Sequence, residues 1–112
     1  MKRLFTLLFS FCAAMLLCAA AHAQAFDHSH QAFTDLLKKH VVLIDGGKAS
    51  QVRYANLAKD RAQLKAYLDG LSKVSEAEFK GWTKAQQMAF LINAYNGYTL
   101  ELILQNLSLI HI

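Results

Sequence analysis

The most constraining feature of this sequence is one long, uninterrupted helical pattern that runs from Lys84 to Gln105. It contains no proline, and Thr83 with Gln86 three residues later can form a capping box at its start. At about 100° per residue, most of its circumference is apolar and only a narrow stripe is polar. The apolar arc contains Met88, Leu91, Ile92, Tyr95, Leu102 and Ile103 and continues through Ala89, Leu100 and Leu104, whereas the polar stripe contains Ala94, Tyr98, Glu101 and Gln105. Such a pattern predicts a core helix.

Two asparagines interrupt this apolar arc. Asn93 and Asn96 are three residues apart and are therefore neighbours on the helix surface, with Tyr95 between them and Gly97 beside them. A buried amide without partners costs roughly 1–3 kcal/mol, so both side chains should be hydrogen-bonded. Two interpretations stay open: a structural polar network, with Gly97 allowing a close approach of a neighbouring segment, or the wall of a catalytic or ligand site. Asn93, Asn96 and Tyr95 are the candidate site residues.

The string at residues 89–96 resembles the signature of the family catalogued as domain of unknown function 547. Residues 52–57 and 60–71 are similar to that family's entry strand and first core helix, so the resemblance covers about residues 26–106. Further matching positions are Phe79, Trp82, Gln86 and Gln87. Arg53 departs from the pattern, since the family more often has an acidic residue there. The resemblance implies a larger α+β domain with a Cys- and His-containing later half, and it implies no established activity.

Residues 1–23 have the pattern of a cleaved secretory signal. Lys2 and Arg3 supply a positive start, an apolar run follows, and Ala23 completes a small-x-small cleavage site before Gln24. The run is shorter than the ~20 residues that a membrane-spanning helix needs. The pattern therefore predicts a mature chain that begins at Gln24 and is periplasmic or secreted.

The two cysteines, Cys12 and Cys18, both lie in the predicted signal. A mature chain without cysteine has neither thiol catalysis nor thiolate metal ligands. Cys18 follows two leucines, whereas lipid attachment favours a small residue before the cysteine, so we expect no lipidation.

The charge and the histidines point to no particular ligand. The sequence has 12 basic and 8 acidic residues, and removal of the predicted signal leaves 10 basic residues. The sequence contains no cluster of basic residues of the kind that is typical of a nucleic-acid surface, so no nucleic-acid partner is predicted. His28 and His30 would diverge on a helix, and His40 has no carboxylate at ligand spacing. We expect surface histidines, no metal site and no cofactor.

The rest of the mature chain predicts helices around one short hairpin. Asp27 or Ser29 could cap a first helix. Residues 41–54 predict the hairpin, because a β-branched run precedes a glycine turn and an alternating strand. Residues 57–71 predict an amphipathic helix, and a capping box from Ser75 to Glu78 predicts a short helix that ends near Gly81. The apolar positions of the first helix are Phe33, Leu36, Leu37 and Val41, those of the second are Leu57, Leu64, Tyr67, Leu68 and Leu71, and Phe79 and Trp82 should pack against the long helix.

The predicted fold is thus mainly α, with three to four helices after the signal. We expect residues 24–106 to be the N-terminal part of a single truncated α+β domain and residues 107–112 to be a non-native tail. The amphipathic helices present too few large apolar residues to cover the helix at 84–105, which predicts that a protein partner or a missing C-terminal half covers it. The predicted function is a structural or interaction module of the cell envelope. The alternative is a hydrolase or acyl-transfer enzyme whose nucleophile and histidine lie in the missing half.

Overall fold

The computed structural model of the protein describes residues 25–107, which form five α-helices and one two-stranded hairpin. The helices are α1 (Gln31–His40), α2 (Tyr54–Lys59), α3 (Arg61–Ser72), α4 (Glu76–Lys80) and α5 (Lys84–Gln105), and the strands are β1 (Val41–Ile44) and β2 (Ala49–Val52). The predicted mainly helical class with a short hairpin is confirmed. The predicted signal, its cleavage site at Ala23 and Gln24, and most of the predicted tail lie outside the described residues.

The hairpin turns through three residues with left-handed backbone. Asp45, Gly46 and Gly47 have φ values of 53°, 63° and 85°. Glycine adopts this conformation without steric cost, and aspartate tolerates it better than most residues. The strands pair antiparallel, with Val41 opposite Val52 and the other pairs following in register.

The helix predicted over residues 57–71 is two helices in the structure. Asp60 separates α2 from α3 with a backbone φ of −105° and ψ of 18°. Its carboxylate accepts hydrogen bonds from Lys39 and His40 at the end of α1, at 2.8 and 2.7 Å. The break therefore places the Asp60 carboxylate against the end of α1. It also raises the number of helices above the predicted three to four.

The core lies where α1, α2, α3 and α5 meet. The predicted leucine stripe is confirmed, because its four leucines are buried, and Tyr67 is half-buried beside them. The buried apolar side chains are Phe33, Leu36, Leu57, Leu64, Leu68, Leu71 and Leu104. Leu37 and Val41 are only half-buried.

The predicted cap of α1 is wrong. The N-cap residue is His30, which has a left-handed backbone with a φ of 51° and makes no side-chain cap bond. Asp27 instead accepts hydrogen bonds from the amide and the hydroxyl of Ser29, at 3.0 and 2.6 Å. The Asp27 carboxylate thus closes a local turn before the helix begins.

The short helix α4 is held against α5 by aromatic rings, as predicted. The rings of Phe79 and Trp82 lie 5.6 and 5.3 Å from the ring of Phe90 on α5. The Gln87 side chain also donates a hydrogen bond to the Phe79 carbonyl at 2.9 Å. At the start of α4, the Ser75 hydroxyl accepts a hydrogen bond from the Glu78 amide, which is one half of the predicted capping box.

The long helix begins and ends at the predicted residues. The Thr83 hydroxyl accepts from the Gln86 amide at 3.2 Å, and the Gln86 side chain accepts from the Thr83 amide at 3.0 Å. This confirms the capping box.

Candidate functional site

The side of α5 that faces the core overlaps the predicted apolar arc at Leu100 and Leu104 but is otherwise a different side of the helix. The buried positions of α5 are Gly97, Glu101 and Leu104, and Phe90 and Ala94 pack beside them at the core. Ala94 and Glu101 belong to the stripe predicted to be polar and exposed. The predicted phase of the helix is therefore wrong, and the helix is turned so that its more apolar side points outward.

The close packing of α5 on α3 explains this orientation in part. A Cβ atom built on Gly97 would lie 2.9 Å from the Leu68 Cδ2 atom and 3.8 Å from rings of Phe33 and Tyr67. Carbon atoms make optimal contact at about 3.5–4.0 Å, so only glycine fits here without a shift. The predicted close approach at Gly97 is present, and the approaching element is α3.

An ion pair adds a polar contact between the same helices. Arg61 donates two hydrogen bonds to one carboxylate oxygen of Glu101, at 2.9 Å from Nε and 2.6 Å from an Nη atom. The Glu101 side chain is 8% exposed, and its second oxygen has no partner among the described residues. The Arg61 hydrogen bonds lower the pKa of Glu101, and the carboxylate in turn raises the pKa of Arg61. Glu101 is therefore charged and fixed toward α3.

Away from the core, α5 carries a row of exposed large apolar side chains, which we call the outer face, and at its border the Tyr98 hydroxyl donates to the Leu68 carbonyl of α3 at 3.3 Å. It consists of Met88, Leu91, Ile92, Tyr95, Tyr98 and Leu102, each between 47% and 74% exposed. Soluble monomers carry single exposed apolar residues, but a run of six large ones along one helix is typical of a surface that binds another molecule.

The three candidate residues lie on or beside this outer face. Tyr95 is 74% exposed, Asn96 is exposed and Asn93 is half-buried. Neither asparagine side chain hydrogen-bonds another residue within 25–107, so the structure does not bring the three together as a polar network there. Their burial was predicted from the wrong helix phase, and a role as a site wall stays a prediction.

Sequence reasoning missed a buried pair at the start of α1. The His30 Nδ1 atom and the Tyr67 hydroxyl are hydrogen-bonded at 2.7 Å, although we expected a surface histidine. His30 is 5% exposed, and its Nε2 atom has no partner among the described residues. Burial lowers the pKa of His30, and burial together with the charge of Asp27 raises the pKa of Tyr67 to about 12. Both groups are therefore neutral at pH 7.

The surroundings of this pair are aromatic. Phe26 lies 5.4 Å from the His30 ring, 5.0 Å from the Trp82 ring and 5.7 Å from the Phe90 ring. A cleft of about 250 Å³ runs beside them between α1 and α3. The clustering of Phe26, His28 and His30 just before α1 is the sequence signal that could have indicated burial.

A second buried histidine connects α1 with the α2–α3 junction. His40 is 3% exposed and donates to the Asp60 carboxylate at 2.7 Å, which also corrects the expectation of a surface histidine. Hydrogen bonds from Lys39 and then His40 lower the pKa of Asp60. A carboxylate that orients an imidazole is also found in general-base catalysis. Here, within residues 25–107, neither buried histidine is hydrogen-bonded to a serine or threonine hydroxyl.

No three side chains of His, Cys, Asp or Glu lie together as metal ligands within residues 25–107. No helix in that stretch has the length and hydropathy needed to span a membrane.

Comparison with known proteins gave no relative. No family model, no curated protein and no solved structure matches this chain.

Proposed function

We propose that this chain is an interaction module of an exported protein and that it binds its partner through the outer face of α5. The observation that carries the proposal is the exposure of six large apolar side chains along one side of a helix whose other side forms the core. Tyrosine and methionine, which make up half of this face, are enriched in protein interfaces.

The spacing of the outer face favours a helix as its occupant. Met88, Tyr95 and Leu102 are seven residues apart, and Leu91 and Tyr98 repeat at the same interval. This is the a/d pattern by which two helices pack along a seam. The partner is therefore an apolar helix with a matching seven-residue repeat, presented by another polypeptide segment.

Charge also favours an apolar occupant. Lys84 and Glu101 are the only charged residues of α5, and Glu101 is bound to Arg61 on the inner side. A partner helix would contact no charged side chain along the seam after the first turn of α5. Binding would therefore carry no cost for desolvating a charged group of α5.

The size of the outer face suits a specific contact. A tyrosine has roughly 150–250 Å² to bury and the four aliphatic side chains have less, so the six partly exposed residues offer on the order of 500 Å². Stable interfaces bury about 800 Å² on each partner. The outer face can therefore form most of one side of an interface.

The test is a pair of charge substitutions on the outer face. Tyr95→Lys with Leu102→Lys should abolish binding of a dye that reports exposed apolar surface and should reduce self-association in size-exclusion chromatography with light scattering. The control is Gln63→Lys with Ser72→Lys on exposed positions of α3, which should change neither measurement. A parent chain that melts cooperatively and binds no dye would contradict the proposal.

Export is supported by the residue pattern at 1–23. We expect mass spectrometry of protein from the periplasmic fraction to find a mature chain that begins at Gln24. A mature species that retains Met1 or carries an acylated Cys18 would contradict export by this route.

Membership in the family catalogued as domain of unknown function 547 is part of the same proposal and rests on residues 89–96 and the upstream matches. The alternative of a hydrolase or acyl-transfer enzyme stays a prediction. It requires a nucleophile placed near Asn93 and Asn96 by residues outside this sequence.

A further inference from the structure

Within residues 25–107, the outer edge of β2 pairs with no other strand, and its hydrogen-bonding pattern follows from the register of the ladder. The Arg53 amide donates to the His40 carbonyl at 2.9 Å, and these two residues lie in register with the pairs of the ladder. Hydrogen-bonded pairs alternate with non-bonded pairs in an antiparallel ladder. Gln51 therefore pairs with Val42, whereas the amides and carbonyls of Ser50 and Val52 point away from β1.

These outward groups have no partner in the described part of the chain. No backbone or side-chain hydrogen bond from residues 25–107 reaches the amides or carbonyls of Ser50 and Val52 from outside the hairpin. An unpaired strand edge is a template for another strand. A two-stranded hairpin is also only marginally stable by itself, so a third strand would stabilise it.

An apolar groove runs along the same edge. It has a volume of about 570 Å³ and is lined by Ser50, Gln51, Val52, Tyr54, Ala55, Ile103 and Leu107. Three consecutive residues of β2 line it and no residue of β1 does, which places the groove at the edge of the strand. Tyr54 and Ile103 supply the apolar wall against which side chains of an added strand would pack.

The charges around the groove restrict what can enter it. None of its lining residues is charged, whereas Lys48 and Arg53 lie exposed just before and just after β2. An uncharged centre with a cation at each end complements an apolar segment that has acidic residues at its ends.

We propose that the outer edge of β2 binds an extended peptide segment of a partner protein, which adds to the hairpin as a third strand. The segment alternates apolar side chains toward the groove and carries an acidic residue at each end. This surface shares no residue with the outer face of α5, so the proposal goes beyond the helix-binding function and does not depend on it.

The experiment uses a synthetic peptide, capped at both ends, that alternates valine and threonine between two glutamates. Amide hydrogen exchange of the whole chain is followed by NMR with and without the peptide. At a peptide concentration about ten times the dissociation constant, exchange at Ser50 and Val52 should slow by up to about tenfold, since bound molecules are protected. The Gln51 amide already bonds to β1 and should change little.

Two variants test the mechanism. Ser50→Pro removes one outward donor but no bond within the ladder, so it should abolish peptide binding while the Gln51 amide stays protected. Ser50→Thr is the matched control and should bind as the parent does. Ile103→Lys should weaken binding through the groove wall without touching the strand.

The proposal is overturned by any of three results. The peptide does not bind up to its solubility limit, or it binds without slowing exchange at Ser50 and Val52, or a peptide methylated on its ladder-facing amides binds equally well. Changes confined to the outer face of α5 would assign the peptide to that surface and would also overturn it.

Discussion

Gly97 fixes how closely α5 approaches α3. Its position inside a helix costs about 1 kcal/mol relative to alanine, but the 2.9 Å distance from a built Cβ to Leu68 means that alanine would overpack a buried side chain. Overpacking typically costs about 1–3 kcal/mol. This cost cancels or exceeds the gain in helix propensity that alanine would bring. The sequence predicted a close approach at Gly97 from its unfavourable position alone.

The paired substitutions Gly97→Ala and Gly70→Ala separate these effects. Gly97→Ala should lower the free energy of unfolding by up to about 2 kcal/mol, because Leu68 must move. Gly70→Ala lies in α3 with open space around its Cβ position and should raise it by about 0.5–1 kcal/mol. Denaturant melts of both variants check this, and equal shifts of the same sign would contradict the packing argument.

His30 makes stability depend on pH. Burial lowers its pKa below the ordinary 6.5, and the charge of Asp27 opposes that shift while His28 adds to it. The unfolded chain therefore takes up the proton more readily than the folded one. This contribution to stability is fully present above about pH 6.5 and is lost as the pH falls from there toward the folded pKa.

Denaturant melts between about pH 7 and 5 test this contribution, since histidine titrates in that range. His30→Asn should flatten the dependence, and asparagine suits the left-handed backbone at this position. Tyr67→Phe is the comparison: it should lower stability by roughly 1–3 kcal/mol through the unpaired ring nitrogen, and the slope with pH should persist. An unchanged slope in His30→Asn would show that another group titrates.

Contacts between residues of the same helix could be predicted from the sequence, whereas contacts between distant elements could not. The capping box at Thr83 involves residues three apart, so the sequence contains all of it. The break at Asp60 depends on Lys39 and His40, which lie about twenty residues earlier. The predicted phase of α5 was wrong because it was inferred only from how apolar each side of the helix is. The side that packs on the core is the one that carries Gly97 and Glu101, the partner of Arg61.

The cap at Thr83 should be measurable against a matched threonine of the same helix. Thr83→Ala should lower the free energy of unfolding by about 1 kcal/mol, because the Gln86 amide loses its acceptor. Thr99 is exposed and bonds only to the Tyr95 carbonyl within the helix, so Thr99→Ala should be neutral or slightly stabilising. Thermal melts that show equal losses would contradict the role of the cap.

For the whole molecule, the core and the outer face lie on opposite sides of α5. The fold class and the core residues Phe33, Leu36, Leu57, Leu64, Leu68 and Leu71 of the shorter helices could be predicted from periodicity, whereas the side of α5 that faces the core could not. The buried histidines and the outer face could not, since they depend on which elements meet in space. Tyr95 and Asn96 are exposed and Asn93 is half-buried, whereas the sequence indicated buried positions, and a role of the three as a site wall stays a prediction.

A rotation of α5 by half a turn about its own axis would bury the six outer-face residues and expose Glu101. Apolar burial by itself would favour that rotated arrangement, whereas the close contact at Gly97 and the Arg61–Glu101 ion pair favour the observed one. Glu101→Leu removes the charge that must stay beside Arg61, and we expect two sets of NMR signals for Tyr95 and Tyr98 as both rotations become populated. We infer that the buried carboxylate selects the observed orientation of α5, and a single set of Tyr95 and Tyr98 signals in Glu101→Leu would contradict this.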